Sequence, residues 1–127
     1  MMKVTALDHL VLTVASIDRS VEFYTRVLGM EPEVFGPQRR TALKFGRQKI
    51  NLHERGKEFA PRAHLATSGT GDFCLIVDSL AGIERHLQDH GVAIVEGPVK
   101  KTGACGALTS YYIRDPDENL VELSVYD

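Results

Sequence analysis

A chain of 127 residues, 43% hydrophobic and 25% charged, is long enough to bury a core and has the balance of an ordinary globular domain. A formal net charge of -2 supplies no basic field for nucleic acid or an anionic membrane, and no apolar run approaches the length of a bilayer span. No basic-then-apolar signal segment opens the sequence, so a cytoplasmic protein is expected, with neither nucleic acid nor membrane as partner.

In chain order, Leu7 to Val14 reads as a strand. A helix follows from Ser16 to Leu28, with Ile17, Val21, Tyr24 and Leu28 on one face. Ser16 or Asp18 caps its start and Gly29 ends it. Glu33 to Pro37 is a strand closing in a turn, and strands near Thr41 to Phe45 and Lys49 to His53 come next. Glu54 to Gly71 reads as a flexible linker. The second half then runs through the same order. Asp72 to Val77 is a strand, and Ser79 to His90 a helix with Leu80, Ile83 and Leu87 inward. Gly91 stands where Gly29 stood. Val92 to Glu96 is a strand, and Gly97-Pro98 is the counterpart of Gly36-Pro37. Strands near Leu108 to Arg114 and Leu120 to Tyr126 flank the turn Asp115-Pro116-Asp117-Glu118-Asn119. The segment Val99 to Ala107, with Gly103 and Gly106, is expected as a mobile loop. The repetition predicts an α+β fold: two βαβββ repeats forming a curved mixed sheet. Residues 1–127 make one module, with repeat one over about 5–55, a linker over about 54–71 and repeat two over about 72–127.

Side chains alternate across a strand. Leu10, Leu12 and Val14 form a packing face, leaving His9, Val11 and Thr13 on the other. Phe73, Leu75 and Val77 pack in the matching strand, leaving Asp72, Cys74 and Ile76. His9 and Asp72 therefore hold the same repeat position. Aligning Ile50-Asn51-Leu52 on Val121-Glu122-Leu123 makes Asn51 the repeat partner of Glu122, with His53 two residues further on the same face. Each of four strands thus offers a polar group opposite its helix. Histidine with carboxylates is a common donor set for a divalent ion such as zinc, nickel or manganese. Singly, each group has a plainer reading: a hydrogen-bonded structural histidine, a turn-capping Asp72, a Glu122 paired with arginine.

His86 and His90 lie four apart on a helix, but Leu87 stands where a metalloprotease motif needs glutamate, so a solvated face is expected. Arg39-Arg40 and Lys100-Lys101 follow the two Gly-Pro pairs and suit either an anionic substrate or a solvated surface. Tyr111 and Tyr112 alternate, so one faces the pocket. Cys74, inside an apolar strand, is expected as a small buried hydrophobe. Cys105 lies in a Gly-rich stretch, and no disulfide is expected.

Three motifs carry a resemblance: Leu7-Asp8-His9-Leu10-Val11-Leu12-Thr13-Val14; Ser20-Val21-Glu22-Phe23-Tyr24 through Val27-Leu28-Gly29-Met30; and Asp115-Pro116-Asp117 followed by Asn119-Leu120-Val121-Glu122-Leu123. As a set they resemble the vicinal oxygen chelate superfamily of glyoxalase I, fosfomycin resistance proteins, extradiol dioxygenases and methylmalonyl-CoA epimerase. They are most similar to small single-module glyoxalase-domain proteins, some labelled virulence-associated. The resemblance implies a glyoxalase-type fold, a homodimer and a divalent-metal-dependent lyase or isomerase, lactoylglutathione lyase-like, acting on a small oxygen-rich substrate. It puts His9 and Glu122 on metal-ligand positions, with Asp72 where many members have a second histidine. Asn51 stands where glyoxalase I has Glu or Gln. The resulting expectation is a metal held by His9, His53, Asp72 and Glu122, with Glu122 catalytic and Asn51 and Tyr112 binding substrate. A Tyr in the strand before the turn is a feature of fosfomycin-type proteins, and Tyr112 matches it. Binding without turnover and a fosfomycin-type resistance activity are the alternatives.

Overall fold

A computed structural model describes all residues from Met1 to Asp127, and the expected element order occurs twice. The first set is β1 (His9–Val14), α1 (Ile17–Arg26), β2 (Glu31–Phe35), β3 (Arg40–Phe45) and β4 (Gln48–Glu54). The second is β5 (Asp72–Ile76), α2 (Ile83–Asp89), β6 (Ile94–Gly103), β7 (Gly106–Arg114) and β8 (Leu120–Tyr126). The chain divides into two compact units, Met1–Ser68 and Gly69–Asp127. Each holds one four-stranded mixed sheet, ordered β1-β4-β3-β2 in the first and β5-β8-β7-β6 in the second. In both, the first strand lies parallel to the last, a pairing that needs a long crossover, and the remaining pairs are antiparallel.

In the first unit α1 begins where the Ser16 hydroxyl accepts from the Arg19 backbone N–H at 3.3 Å, so Ser16 rather than Asp18 is the cap. It ends at Arg26, and just beyond it Gly29, with φ of 70°, turns the chain so that Met30 N–H reaches back to the Tyr24 carbonyl at 3.0 Å. Between these ends Tyr24 and Ser20 are buried. Tyr24 joins Leu12, Val14, Leu43, Ile50 and Leu52 in the unit's core; Leu12, Val14, Ile50 and Leu52 come from the strand faces expected to pack, and Leu43 of β3 adds to them.

The second unit is more weakly covered by its helix. α2 spans only Ile83–Asp89, shorter than the expected Ser79 to His90. Its N-cap is Gly82, which carries no capping side chain, and Leu87 is its one buried residue. Core packing here falls to Leu108, Tyr111, Ile113, Val121 and Leu123 on β7 and β8.

Two expectations are corrected in this unit. Gly97-Pro98 is not a strand-ending turn like Gly36-Pro37. It sits within β6, at a register shift between Glu96 and Val99. Proline has no N–H for the ladder, and a bulge accommodates it without breaking the strand. Val99 to Ala107 is likewise not a loop. Val99 pairs with Ser110, Lys101 with Leu108 and Gly103 with Gly106, which makes it the β6–β7 hairpin. Its two glycines are the last ladder pair, flanking the two-residue turn Ala104-Cys105.

The Asp-Pro-Asp turn is a buried polar cluster. The Asp115 carboxylate accepts from the backbone N–H groups of Asp117 and Asn119, each at 2.9 Å, and from the Asn119 amide at 2.8 Å. Asn119 Oδ1 in turn accepts from the Gly71 N–H at 2.7 Å. These bonds fix the approach to β5 beside the start of β8, where Leu120 N–H donates to the Gly71 carbonyl at 2.9 Å.

Candidate functional site

The registers put the polar strand residues at matching places within the two units. Val11 faces Asn51 across β1 and β4, as Cys74 faces Glu122 across β5 and β8. Thr13 faces His53, as Ile76 faces Ser124. Asn51 is thus the counterpart of Glu122, as the sequence alignment expects. His53 matches Ser124.

In the first unit His9, Thr13, Asn51 and His53 line a concavity of about 570 Å³ together with Arg40 and Arg62. Asn51 and His53 are only 4% and 3% exposed, so the linker expected between the repeats is in fact one wall of the cavity, through Pro61, Arg62, Ala63 and Ala66. The Arg40 guanidinium lies 5.4 Å from the Phe35 ring centre and 4.9 Å from that of Phe59, positions in which both rings attract the cation. One of its terminal nitrogens donates to His53 Nε2 at 2.8 Å. Arginine has no acceptor, so His53 Nε2 must carry the lone pair. Burial, then the Arg40 charge, lower the His53 pKa, against a smaller opposing pull from Glu58. Two buried polar atoms in this cavity's lining lack a partner: Arg40 Nε, a donor, and Asn51 Oδ1, an acceptor.

In the second unit Glu122 and Tyr112 line a concavity of about 340 Å³ with Cys74 and Lys101. The Ser110 hydroxyl donates to Glu122 Oε2 at 2.7 Å and lies 2.6 Å from the Ser124 hydroxyl. The Cys74 thiol donates to Ser124 Oγ at 3.2 Å. Cys74 is exposed at this surface and is not the buried hydrophobe expected, because the face of β5 turned from α2 is uncovered. Tyr112 faces Glu122 across β7 and β8. Burial, with the Glu122 carboxylate adding to it, pushes the Tyr112 hydroxyl up to about 12. Tyr112 therefore keeps its proton at neutral pH and is a donor. Tyr111 points the other way, and its hydroxyl donates to Glu84 of α2 at 3.3 Å.

The donors implied for a divalent metal are divided between the units, and within neither do three His, Cys, Asp or Glu side chains gather to hold an ion. His9 suits a ligand: its Nδ1 is bonded to Asp8 at 2.8 Å, the outer contact that leaves Nε2 free to coordinate. His53 does not fit, since Arg40 occupies the lone pair that a metal would need and brings a positive charge with it. Asp72, exposed at the start of β5, does not line the Glu122 concavity. The sequence reading missed Arg62 and the linker wall, the Phe35–Arg40–Phe59 stack and the Ser110–Ser124 pair. The basic pair after Gly36-Pro37 was the one visible signal for the stack.

Two mixed sheets built from a repeated βαβββ order, with polar groups on strand faces that their helices leave free, define the glyoxalase class of fold. The chain belongs to the Glyoxalase/Bleomycin resistance protein/Dioxygenase superfamily, whose model matches residues 6–123. It is 54% identical over 126 residues to the glyoxalase domain-containing protein RDO1 of Mycosarcoma maydis, covering 98% of this chain and 70% of that protein. It is 47% identical over 126 residues to the virulence protein STM3117 of Salmonella typhimurium, covering 98% of this chain and 87% of that protein. Among solved structures, the integron cassette protein VCH_CASS1 from the mobile metagenome of V. cholerae matches with a TM-score of 0.95 and 54% identity, over 100% of this chain and 99% of that one.

Proposed function

We propose that this glyoxalase-superfamily chain holds a small oxygen-rich molecule in the concavity of its first unit. The observation that carries the reading is Asn51, a buried amide whose Oδ1 has no partner in the lining of that cavity. Buried polar atoms are nearly always satisfied, so an orphan on a residue that lines a cavity calls for a ligand donor or water. Arg40 Nε adds the complementary donor. Rigid groups of this kind orient a ligand without having to be ordered on binding. In the second unit's own concavity Tyr112, a donor, and Glu122, a base, face each other across β7 and β8 and are proposed as a proton-handling pair for a group bound there.

The reading is tested by screening oxygen-rich small molecules, neutral and charged, against backbone NMR resonances of the whole chain. The expected outcome is shifts concentrated at residues 9–13 and 51–53. Shifts confined to 110–124, or none, overturn it. A second reading is a divalent-metal-dependent lyase or isomerase, and the His9–Asp8 contact, which orients His9 as a ligand, favours it. A calorimetric metal titration together with a methylglyoxal–glutathione turnover assay tests that reading. It fails if the protein takes up no zinc, nickel or manganese.

A further inference from the structure

The first unit's cavity has a charge pattern that narrows its ligand. We infer that it takes a small carboxylate bearing a neighbouring hydroxyl, and that it is not a divalent-cation site. The inference rests on the reading above that this cavity holds a small molecule.

The polar lining consists of Arg40, Arg62, His9, His53, Asn51 and Thr13, with no carboxylate among the lining residues. No acidic side chain forms an ion pair with Arg40. The acidic group whose field reaches both His53 and Arg62 is Glu58, and its carboxylate is already engaged by the Gly56 N–H at 2.8 Å. A guanidinium between two aromatic rings, without a counter-ion, is a permanent positive charge that attracts an anion and repels a dication.

Arg40 is also held still. The Phe35 and Phe59 rings and the bond to His53 fix its plane, and its Nε–H remains unpaired. A planar carboxylate is the natural acceptor for a planar guanidinium edge. Asn51 supplies the second half of the recognition. It lies two residues from His53 on the same face of β4, roughly 7 Å along the strand. Its unpaired Oδ1 accepts, so the ligand group there must donate. A hydroxyl a short distance from a carboxylate satisfies both orphans. An aqua-metal ion would meet His53 with its lone pair already taken.

The test is an NMR titration of the whole chain with three probes of nearly one skeleton: lactate, propionate, which lacks the hydroxyl, and propane-1,2-diol, which lacks the charge. Zinc is titrated separately. Lactate should shift the amides of Asn51 and His53 and the Arg40 Nε–H. Propionate and the diol should bind roughly tenfold more weakly or worse, the value of one lost hydrogen bond, neutral for propionate and charge-assisted for the diol. Asn51→Asp places a negative charge at the orphan acceptor and should weaken lactate by a similar factor. Arg62→Gln, at an exposed position, should also weaken it while leaving the fold intact. His86→Gln, on α2, should leave it unchanged. If the diol shifts the same resonances as strongly as lactate, the anion assignment is overturned and the small-molecule reading stands. If no probe moves any first-unit resonance, both fall. If zinc shifts His9 and His53 while lactate shifts nothing, the cavity is a cation site and the inference is wrong.

Discussion

Three donors converge on the Asp115 carboxylate, two of them backbone N–H groups, and the residue is almost wholly buried. Hydrogen bonds to a charged group are each stronger than neutral ones, and removing the acceptor strands its donors. Asp115→Ala should therefore cost about 3 kcal/mol of stability in urea unfolding. A loss under about 0.5 kcal/mol, the size of a surface change, would show that water replaces the carboxylate. His53 supports a different prediction, in pH. Its folded pKa lies below the ordinary 6.5, so the folded chain binds its proton less readily than the unfolded chain does. The stability tied to neutral His53 is complete above that ordinary value and is lost as the pH falls through the folded value. Arg40→Gln removes one of the two causes of the depression, so the His53 midpoint in an NMR titration should rise. An unmoved midpoint would assign the whole depression to burial.

Among the elements, β6 is the one whose shape depends most on a single residue. Gly97 has φ of 140°, and a Cβ there would lie 2.8 Å from the Tyr111 Cα and 2.9 Å from the Ser110 carbonyl. Backbone cannot retreat as a flexible side chain can. Gly97→Ala should cost about 2 to 3 kcal/mol, combining an unfavourable backbone region with the clash. Denaturant unfolding measures it, and a cost within about 0.5 kcal/mol would mean that the bulge relaxes freely. The same strand bears on the expected mobile loop. Because Val99, Lys100, Lys101 and Thr102 are paired with β7, amides of the hairpin that bond within the ladder should be protected from hydrogen exchange. Exchange as fast as in an unpaired loop would restore the loop reading. By contrast α2, with its one buried residue and no side-chain cap, is the element expected to open first.

At the scale of the whole molecule, no helix is long and apolar enough to cross a membrane. The strand faces that the helices do not cover carry exposed apolar residues, Val11 on β1 and Ile76 on β5. Apolar side chains beside polar site residues are common where a second surface completes a pocket. We propose that the chain pairs with a second copy. Sedimentation at micromolar concentration should give twice the 14.1 kDa mass of one chain, and a monomer there would rule the pairing out.

What the sequence determined by itself follows from local rules. Strand alternation, a helix with Tyr24 inward, Ser16 and Gly29 at its ends, and the turn formers after Arg114 all act over a few residues, so they are legible in one dimension. The repeat then made the α+β order and the Asn51–Glu122 equivalence readable, because a fixed pattern recurring twice implies the same pairing twice. The tertiary structure decided the rest, because it depended on non-local neighbours. Nothing in the composition of Pro61 to Ala66 marks it as a cavity wall; that comes from its folding over β4. The sequence pattern equally leaves open whether a histidine meets a metal or an arginine. The answer for His53 came from β3, which pairs beside β4 and carries Arg40 to within 2.8 Å of the imidazole nitrogen.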